Sequence, residues 1–85
     1  MFTMDKINQL LDVIAVFSKN GVQPFRVRRG NQAYQVKQVS HQWREKINGR
    51  TIIHFQVRLD CGDYWHLAYH SDGPYWYLED LNFGV

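Results

Sequence analysis

Two aromatic-rich runs in the last third of the chain constrain its fold more than any other feature. In residues 64–70 and 75–78, large apolar side chains alternate with polar ones at a period of two, which is typical of a half-buried strand. Between the runs lie Asp72, Gly73 and Pro74, a combination typical of turns. The pattern therefore predicts an antiparallel hairpin with one aromatic face turned inward.

The middle of the chain predicts a second hairpin. The dipeptide Gly30-Asn31 suits a two-residue loop between a strand at 24–29 and a strand that begins at residue 33. Closing this loop tightly places Val27 opposite Tyr34. Both side chains then lie on one face, so the loop and the apolar pattern predict the same register.

This register also places Phe25 opposite Val36, which adds two apolar side chains to the same face. The apolar phase changes after Val36, because Val39 and Trp43 continue the pattern on odd positions. An extra residue in one strand produces such a change. We therefore predict a β-bulge near residues 37–38.

A further strand is predicted at 51–60. A three-residue turn after it matches apolar partners best, with Leu59 opposite Trp65, and the last hairpin pairs His70 with Tyr75. The inward phases of all the strands then predict one core cluster, made of Phe25, Val27, Tyr34, Val36, Phe55, Val57, Trp65, Leu67, Tyr69, Trp76 and Leu78.

The N-terminal segment has helical rather than strand-like spacing in this interpretation. Residues 4–19 predict an amphipathic helix, with Thr3 as a suitable N-cap and Asn20-Gly21 as its end. Its apolar stripe consists of Ile7, Leu10, Leu11, Ile14 and Phe17.

The predicted fold class is therefore α+β in a single domain, residues 1–85. The N-terminal helix is followed by a meander of about five antiparallel strands over residues 24–80. A strongly bent meander of this size favours a small, partly open barrel of the SH3-like or OB-like sort. The sequence leaves open whether the barrel closes and which face of the sheet the helix covers.

The length and composition of the chain limit the kinds of function that it can have. The chain has 85 residues, 45% of them hydrophobic, which is too apolar for a disordered chain and too short for an easily buried substrate pocket. Cys61 is its single cysteine, so no internal disulfide forms. No apolar run reaches the length of a membrane span, and no signal peptide is recognisable. We expect a cytoplasmic domain with a surface binding site.

Charge is distributed unevenly along the chain. Residues 25–58 carry eight basic side chains against Glu45 alone, and residues 59–85 carry five acidic side chains and no basic one. Two interpretations remain open: a mixed soluble surface, or a basic surface that binds an anion such as a nucleic-acid backbone.

The outward strand phases bring a second group of polar and aromatic residues together. The predicted registers place His54 opposite His70, and His66 opposite both Arg58 and Glu79. This face is either a platform for stacking or simply the solvated side of the sheet. The candidate nucleic-acid-binding residues are the cations Arg26, Arg28, Lys37, Arg44 and Arg58, together with His70, Tyr75 and Tyr77 for stacking.

The sequence predicts no metal site, cofactor or catalytic residue. His66 and His70 lie well over 10 Å apart along one strand face by strand rise, and are too distant to share a zinc ion. Cys61 lies between Asp60 and Asp63, which oppose a reactive thiolate. No phosphate loop or nucleophile elbow is present.

The chain resembles a small bacterial domain of unknown function over residues 24–80. That domain occurs alone and at the C-terminus of proteins similar to Y-family translesion polymerases. The resemblance implies an accessory role in DNA repair and no catalytic residues. It is carried by Pro24-Phe25, Arg29-Gly30, Tyr34-Gln35-Val36, Val39, Trp43-Arg44, Val57-Arg58, Gly62, Leu67 and Trp76-Tyr77-Leu78.

Two functional hypotheses follow. The first is a non-enzymatic module that binds single-stranded nucleic acid weakly. The second is a protein–protein interaction or self-association domain, monomeric or homodimeric, that uses the wide apolar stripe of residues 7–17. Neither hypothesis involves a membrane.

Overall fold

The computed structural model describes residues 9–73 and 75–81 and shows a closed barrel of six antiparallel strands. Neighbours in sequence are neighbours in the sheet, and the first strand pairs with the last. The strands are β1 (Gln9–Ser18), β2 (Gly21–Arg29), β3 (Gln32–Ile47), β4 (Arg50–Leu59), β5 (Tyr64–His70) and β6 (Tyr75–Leu81). The prediction of a small antiparallel barrel is confirmed, but the barrel is closed and has six strands, where the sequence predicted about five strands and a partly open barrel.

The barrel interior is one apolar cluster to which every strand contributes. Phe55, Leu67 and Leu78 are fully buried in neighbouring strands, and Trp76 contacts both Phe55 and Tyr69 through its ring. Most of the predicted core is confirmed, and Tyr34 and Val36 are partly buried against it. The alternating pattern of β4 to β6 thus determines the inner face.

The predicted N-terminal helix, and with it the α+β class, is wrong. The described residues contain no helix, and residues 9–18 of the predicted helix form β1. Their apolar residues come in adjacent pairs, which fit a helical stripe and a two-sided strand equally well. Three of them, Val13, Ile14 and Val16, are β-branched and suit a strand. Residues 4–8 of that prediction lie outside the described residues.

Several predicted registers are confirmed. Val27 pairs with Tyr34 across the Gly30 loop, and Gly30 has a positive φ of 60°, which favours glycine. The β3–β4 ladder shifts between Val36 and Gln38, where the bulge was predicted. In the last hairpin, His70 pairs with Tyr75.

One register is wrong by two residues. Trp65 pairs with Val57 rather than with Leu59, although the inward phase of both strands is as predicted. The turn is longer than expected because backbone hydrogen bonds join Leu59 to both Gly62 and Asp63. A shift of two residues preserves the side-chain faces, so apolar matching alone does not distinguish the two registers.

Phe25 was predicted in the core and is instead 57% exposed. The β1–β2 ladder shifts at this point: Ile14 pairs with Arg26 and Ala15 with Pro24, so Phe25 is the extra residue of a bulge. Pro24 takes the buried position in its place.

Substitutions of the adjacent residues Leu10 and Leu11 test whether residues 9–18 form a strand. Leu11 is 6% exposed and Leu10 is 57% exposed, as expected for opposite faces of a strand. We expect Leu11→Ala to lower the free energy of unfolding by about 2–5 kcal/mol. Leu10→Ala should change it by no more than about 0.5 kcal/mol. Chemical denaturation of the two variants measures this; equal losses would contradict the strand assignment.

Candidate functional site

Three of the predicted cations lie on neighbouring strands on the outside of the barrel. Arg26 is opposite Gln35, Lys37 follows two residues later in the β3 bulge, and Arg58 is opposite Gln38. We call Arg26, Lys37 and Arg58 the basic surface. Within the described part of the chain, none of the three forms an ion pair or a side-chain hydrogen bond.

The exposed ring of Phe25 lies beside this surface. Phe25 and Lys37 line a shallow cleft of about 300 Å³, together with Val16 and Pro24. The bulge that displaces Phe25 from the core therefore places an aromatic ring next to two strands that carry cations. The sequence prediction missed Phe25 as a surface residue. The adjacent Pro24, which cannot donate to a ladder, was the available sign of an irregular strand.

The other two predicted cations, Arg28 and Arg44, are not part of the basic surface. Arg28 forms a salt bridge with Asp12 on β1, and both side chains are largely exposed. Arg44 pairs with Ile53, whose side chain belongs to the core, so Arg44 lies on the opposite face of β3 from Trp43. Arg44 is thus separated from Lys37 and Arg58.

The predicted stacking residues form a separate group at the other end of the sheet. His70 pairs with Tyr75, and its ring centroid is 4.7 Å from that of Tyr77. His70 also pairs with Ile52, six residues along β4 from Arg58. A separation of six residues corresponds to about 20 Å. The structure therefore does not unite these three residues with the basic surface.

Between these two groups lies a chain of hydrogen-bonded polar side chains on the outer face of β3, β4 and β5, made of two buried histidines and the half-exposed Glu45. His54 Nε2 lies 2.8 Å from Glu45 Oε1, and His54 Nδ1 lies 2.8 Å from His66 Nε2. We call Glu45, His54 and His66 the histidine chain. Each of the two histidines is 7% exposed. These pairings correct the prediction, because His54 lies opposite Ala68 rather than His70.

Two of the predicted contacts of His66 are also wrong. His66 lies opposite Gln56 on β4, not Arg58, and opposite Asp80 on β6. The β5–β6 ladder shifts beside His66, so that Glu79 has no direct partner in that ladder. A bulge in this short hairpin has no distinct sequence signal.

Trp43 covers the two imidazoles. Its ring is stacked on His54 with a centroid distance of 5.1 Å and an interplanar angle of 7°. The centroid of Trp43 lies 5.3 Å from that of His66. The sequence prediction did not include Trp43 or Glu45 in a site because it placed Trp43 in the same strand phase as Val39. A second shift of the β3–β4 ladder, between Val39 and His41, puts Trp43 on the outer face opposite His54.

A second polar contact extends this buried layer. Gln56 is buried beside the histidine chain, and its Oε1 lies 2.6 Å from His41 Nδ1. Among the described residues, no buried side-chain nitrogen or oxygen lacks a hydrogen-bond partner. The buried polar side chains on the outer face of β4, His54 and Gln56, are therefore hydrogen-bonded.

The remaining titratable groups give no further site. The described residues contain no group of three side chains that could hold a metal ion. The thiol of Cys61 is exposed in the turn between β4 and β5. The part of the chain that the structure describes consists of strands and turns, and it contains no helix long and apolar enough to cross a membrane.

Comparison of the chain with protein-family models, curated proteins and solved structures finds no match. The resemblance to the bacterial repair-associated domain therefore stays a prediction.

Proposed function

We propose that this protein is a non-enzymatic binding module that binds single-stranded nucleic acid on the outside of β2 and β3. The basic surface would contact phosphates, and Phe25 would stack on a base. The observation that carries this proposal is the exposed ring of Phe25 beside Arg26 and Lys37. Proteins that bind single strands combine cations along the backbone with aromatic rings for the bases.

The barrel topology supports the proposal by gathering the basic residues on neighbouring strands. Because strand order follows sequence order, the basic stretch 25–58 occupies the adjacent strands β2, β3 and β4. The acidic residues after position 58 lie in β6 and in the turns on either side of β5. Cations are therefore concentrated on β2, β3 and β4, which favours approach of a polyanion to these strands.

The state of the three cations also supports phosphate binding. Arg26, Lys37 and Arg58 are not engaged by carboxylates within the described residues, so a phosphate would not have to displace an internal partner. Each phosphate neutralised on a single strand releases condensed counterions, which contributes favourably at low salt. Weak, salt-dependent binding is the expected behaviour, consistent with an accessory role in repair.

Lys37→Ala tests the basic surface. Titration of a labelled single-stranded oligonucleotide at several salt concentrations should show weaker binding and a slope of log affinity against log salt that is smaller by about 0.7. Lys46→Ala is the matched control, since Lys46 lies on the same strand near the β3–β4 turn, opposite Thr51. Equal effects of the two variants, or binding that is insensitive to salt, would contradict the proposal.

Phe25→Ala tests stacking. We expect a loss of about 1–3 kcal/mol in binding free energy with little change in the salt slope, because a base contact rather than a phosphate contact is removed. Tyr75→Ala removes an equally exposed aromatic residue from the other group and should leave affinity unchanged. If only Tyr75→Ala weakens binding, the stacking residues are the ones predicted from the sequence, His70, Tyr75 and Tyr77, and not Phe25.

Self-association is the second candidate function, favoured by a specific observation on β1. Ile14 and Val16 are each more than half exposed, and both lie on its outer face beside the bulge at Phe25. The predicted helix is absent from the described residues, but these apolar side chains are still available. Adjacent exposed apolar residues on a sheet are typical of an interface, and a second copy offers the same surface across a two-fold axis.

Sedimentation equilibrium tests this candidate. If the β1 surface associates, the wild-type protein should show a concentration-dependent dimer, and Ile14→Lys should be monomeric because a charge enters the apolar interface. Leu10→Lys places the same charge at another exposed position of β1 and serves as control. A wild-type protein that is monomeric at high concentration would eliminate self-association.

A further inference from the structure

The histidine chain places two imidazoles in direct contact, and this contact limits how many protons they can hold. A hydrogen bond between His54 Nδ1 and His66 Nε2, 2.8 Å apart, needs one protonated nitrogen and one free lone pair. At the other end, ionised Glu45 only accepts, so His54 Nε2 donates to it. Both links are satisfied with the pair neutral or with one additional proton.

A single additional proton is well accommodated. If it lies on His54, that ring donates to Glu45 and to His66 at once. Its charge then faces the carboxylate of Glu45 and the stacked indole of Trp43, both of which stabilise a cation. If the proton lies on His66, His66 donates to His54 instead.

A second additional proton is not accommodated. It would place two N–H groups against each other across 2.8 Å and two positive charges on rings whose centroids are 5.0 Å apart. Both rings are buried, so water does not screen the repulsion. The hydrogen bond between the rings must then break.

The groups that face this pair come from three strands. From β3 they are Glu45 and His41, and the latter contacts Gln56 rather than either ring. From β6 they are Asp80, which is opposite His66, and the buried Glu79 next to it. Arg58 and Tyr64 lie further along β4 and β5. None of these carboxylates removes the clash that a second proton causes between the two facing N–H groups.

We propose that the histidine chain is an acid-sensitive latch that holds the ring of Trp43 against the outer face of β4. The latch is closed while the two imidazoles carry at most one positive charge between them. When acidification charges both rings, they separate and Trp43 loses its stacking partner. The barrel core contains none of these residues and stays folded, so the change is confined to the outer face.

Trp43 is the reporter in the experiment that tests this latch. In the wild-type protein, nuclear Overhauser contacts between the rings of Trp43 and His54 should be lost in one step as the pH falls from 7 to 4, together with a shift of the Trp43 indole N–H resonance, which is assigned by its loss in Trp43→Phe. Far-UV circular dichroism should stay constant across that step. In the wild-type protein at neutral pH, a coupling across the hydrogen bond should join His54 Nδ1 to His66 Nε2.

His66→Gln separates the latch from its alternatives. The glutamine amide can still bond to His54 but cannot be charged, so His54 can take up a proton without breaking that bond. The contacts between the rings of Trp43 and His54 should therefore persist down to pH 4, and the step should disappear. His70→Gln removes a histidine outside the chain and should leave the step unchanged.

Three results would overturn the proposal. They are the absence of the acid step in the wild-type protein, its persistence in His66→Gln, and a simultaneous loss of circular dichroism. Persistence in His66→Gln would identify the link between Glu45 and His54 as the acid-sensitive one. If His66→Gln does not fold, the absence of the coupling in the wild-type protein would be decisive.

Discussion

Pairing between β1 and β6 is the interaction on which the rest of this structure depends. It consists of three residue pairs, Gln9 with Leu78, Leu10 with Tyr77 and Leu11 with Trp76. Without it, β1 and β6 would be open edges with unpaired backbone groups, and the sheet would expose its aromatic face. Closure removes both edges and places Leu11 against the core that Trp76 and Phe55 form. In a chain of 85 residues, this closure is what makes one core sufficient.

Bulges adapt a six-stranded sheet to this closure and also create the surface features. The shift at Ile14 and Ala15 exposes Phe25, and the shift after Val36 places Lys37 outside the regular ladder. Bulges bend a strand and redirect side chains, which is why they occur near functional sites. The geometry that closes the barrel is therefore the same geometry that assembles the basic surface and its aromatic neighbour.

Local patterns predicted the strands from β2 to β6 well because each has a two-residue period and a recognisable turn. They failed at β1, because the adjacent apolar residues in Leu10-Leu11 and Val13-Ile14 fit both the period of an α-helix and the period of a strand. The antiparallel pairing of β1 with both β2 and β6 decides between them, and the apolar pattern of β1 alone does not show it. The candidate site was predicted in part for a similar reason. Lys37 and Arg58 came together through a bulge that was foreseen, whereas Phe25 was exposed by one that was not.

The outer side chains of the barrel are buried and hydrogen-bonded around β4 and exposed around β2. β4 is buried on both faces: its inner residues, such as Phe55, belong to the apolar core, and its outer residues, such as His54, belong to a hydrogen-bonded layer. Buried polar networks of this kind are costly unless every member is satisfied, and here every described member is. Around β2, by contrast, Arg26 and Phe25 lie in solvent, and no residue in the described part of the chain pairs with either by charge or by ring contact. A scaffold held firmly on one side can leave cations and an aromatic ring exposed on the other, which is the arrangement that the proposed binding of a nucleic-acid strand requires.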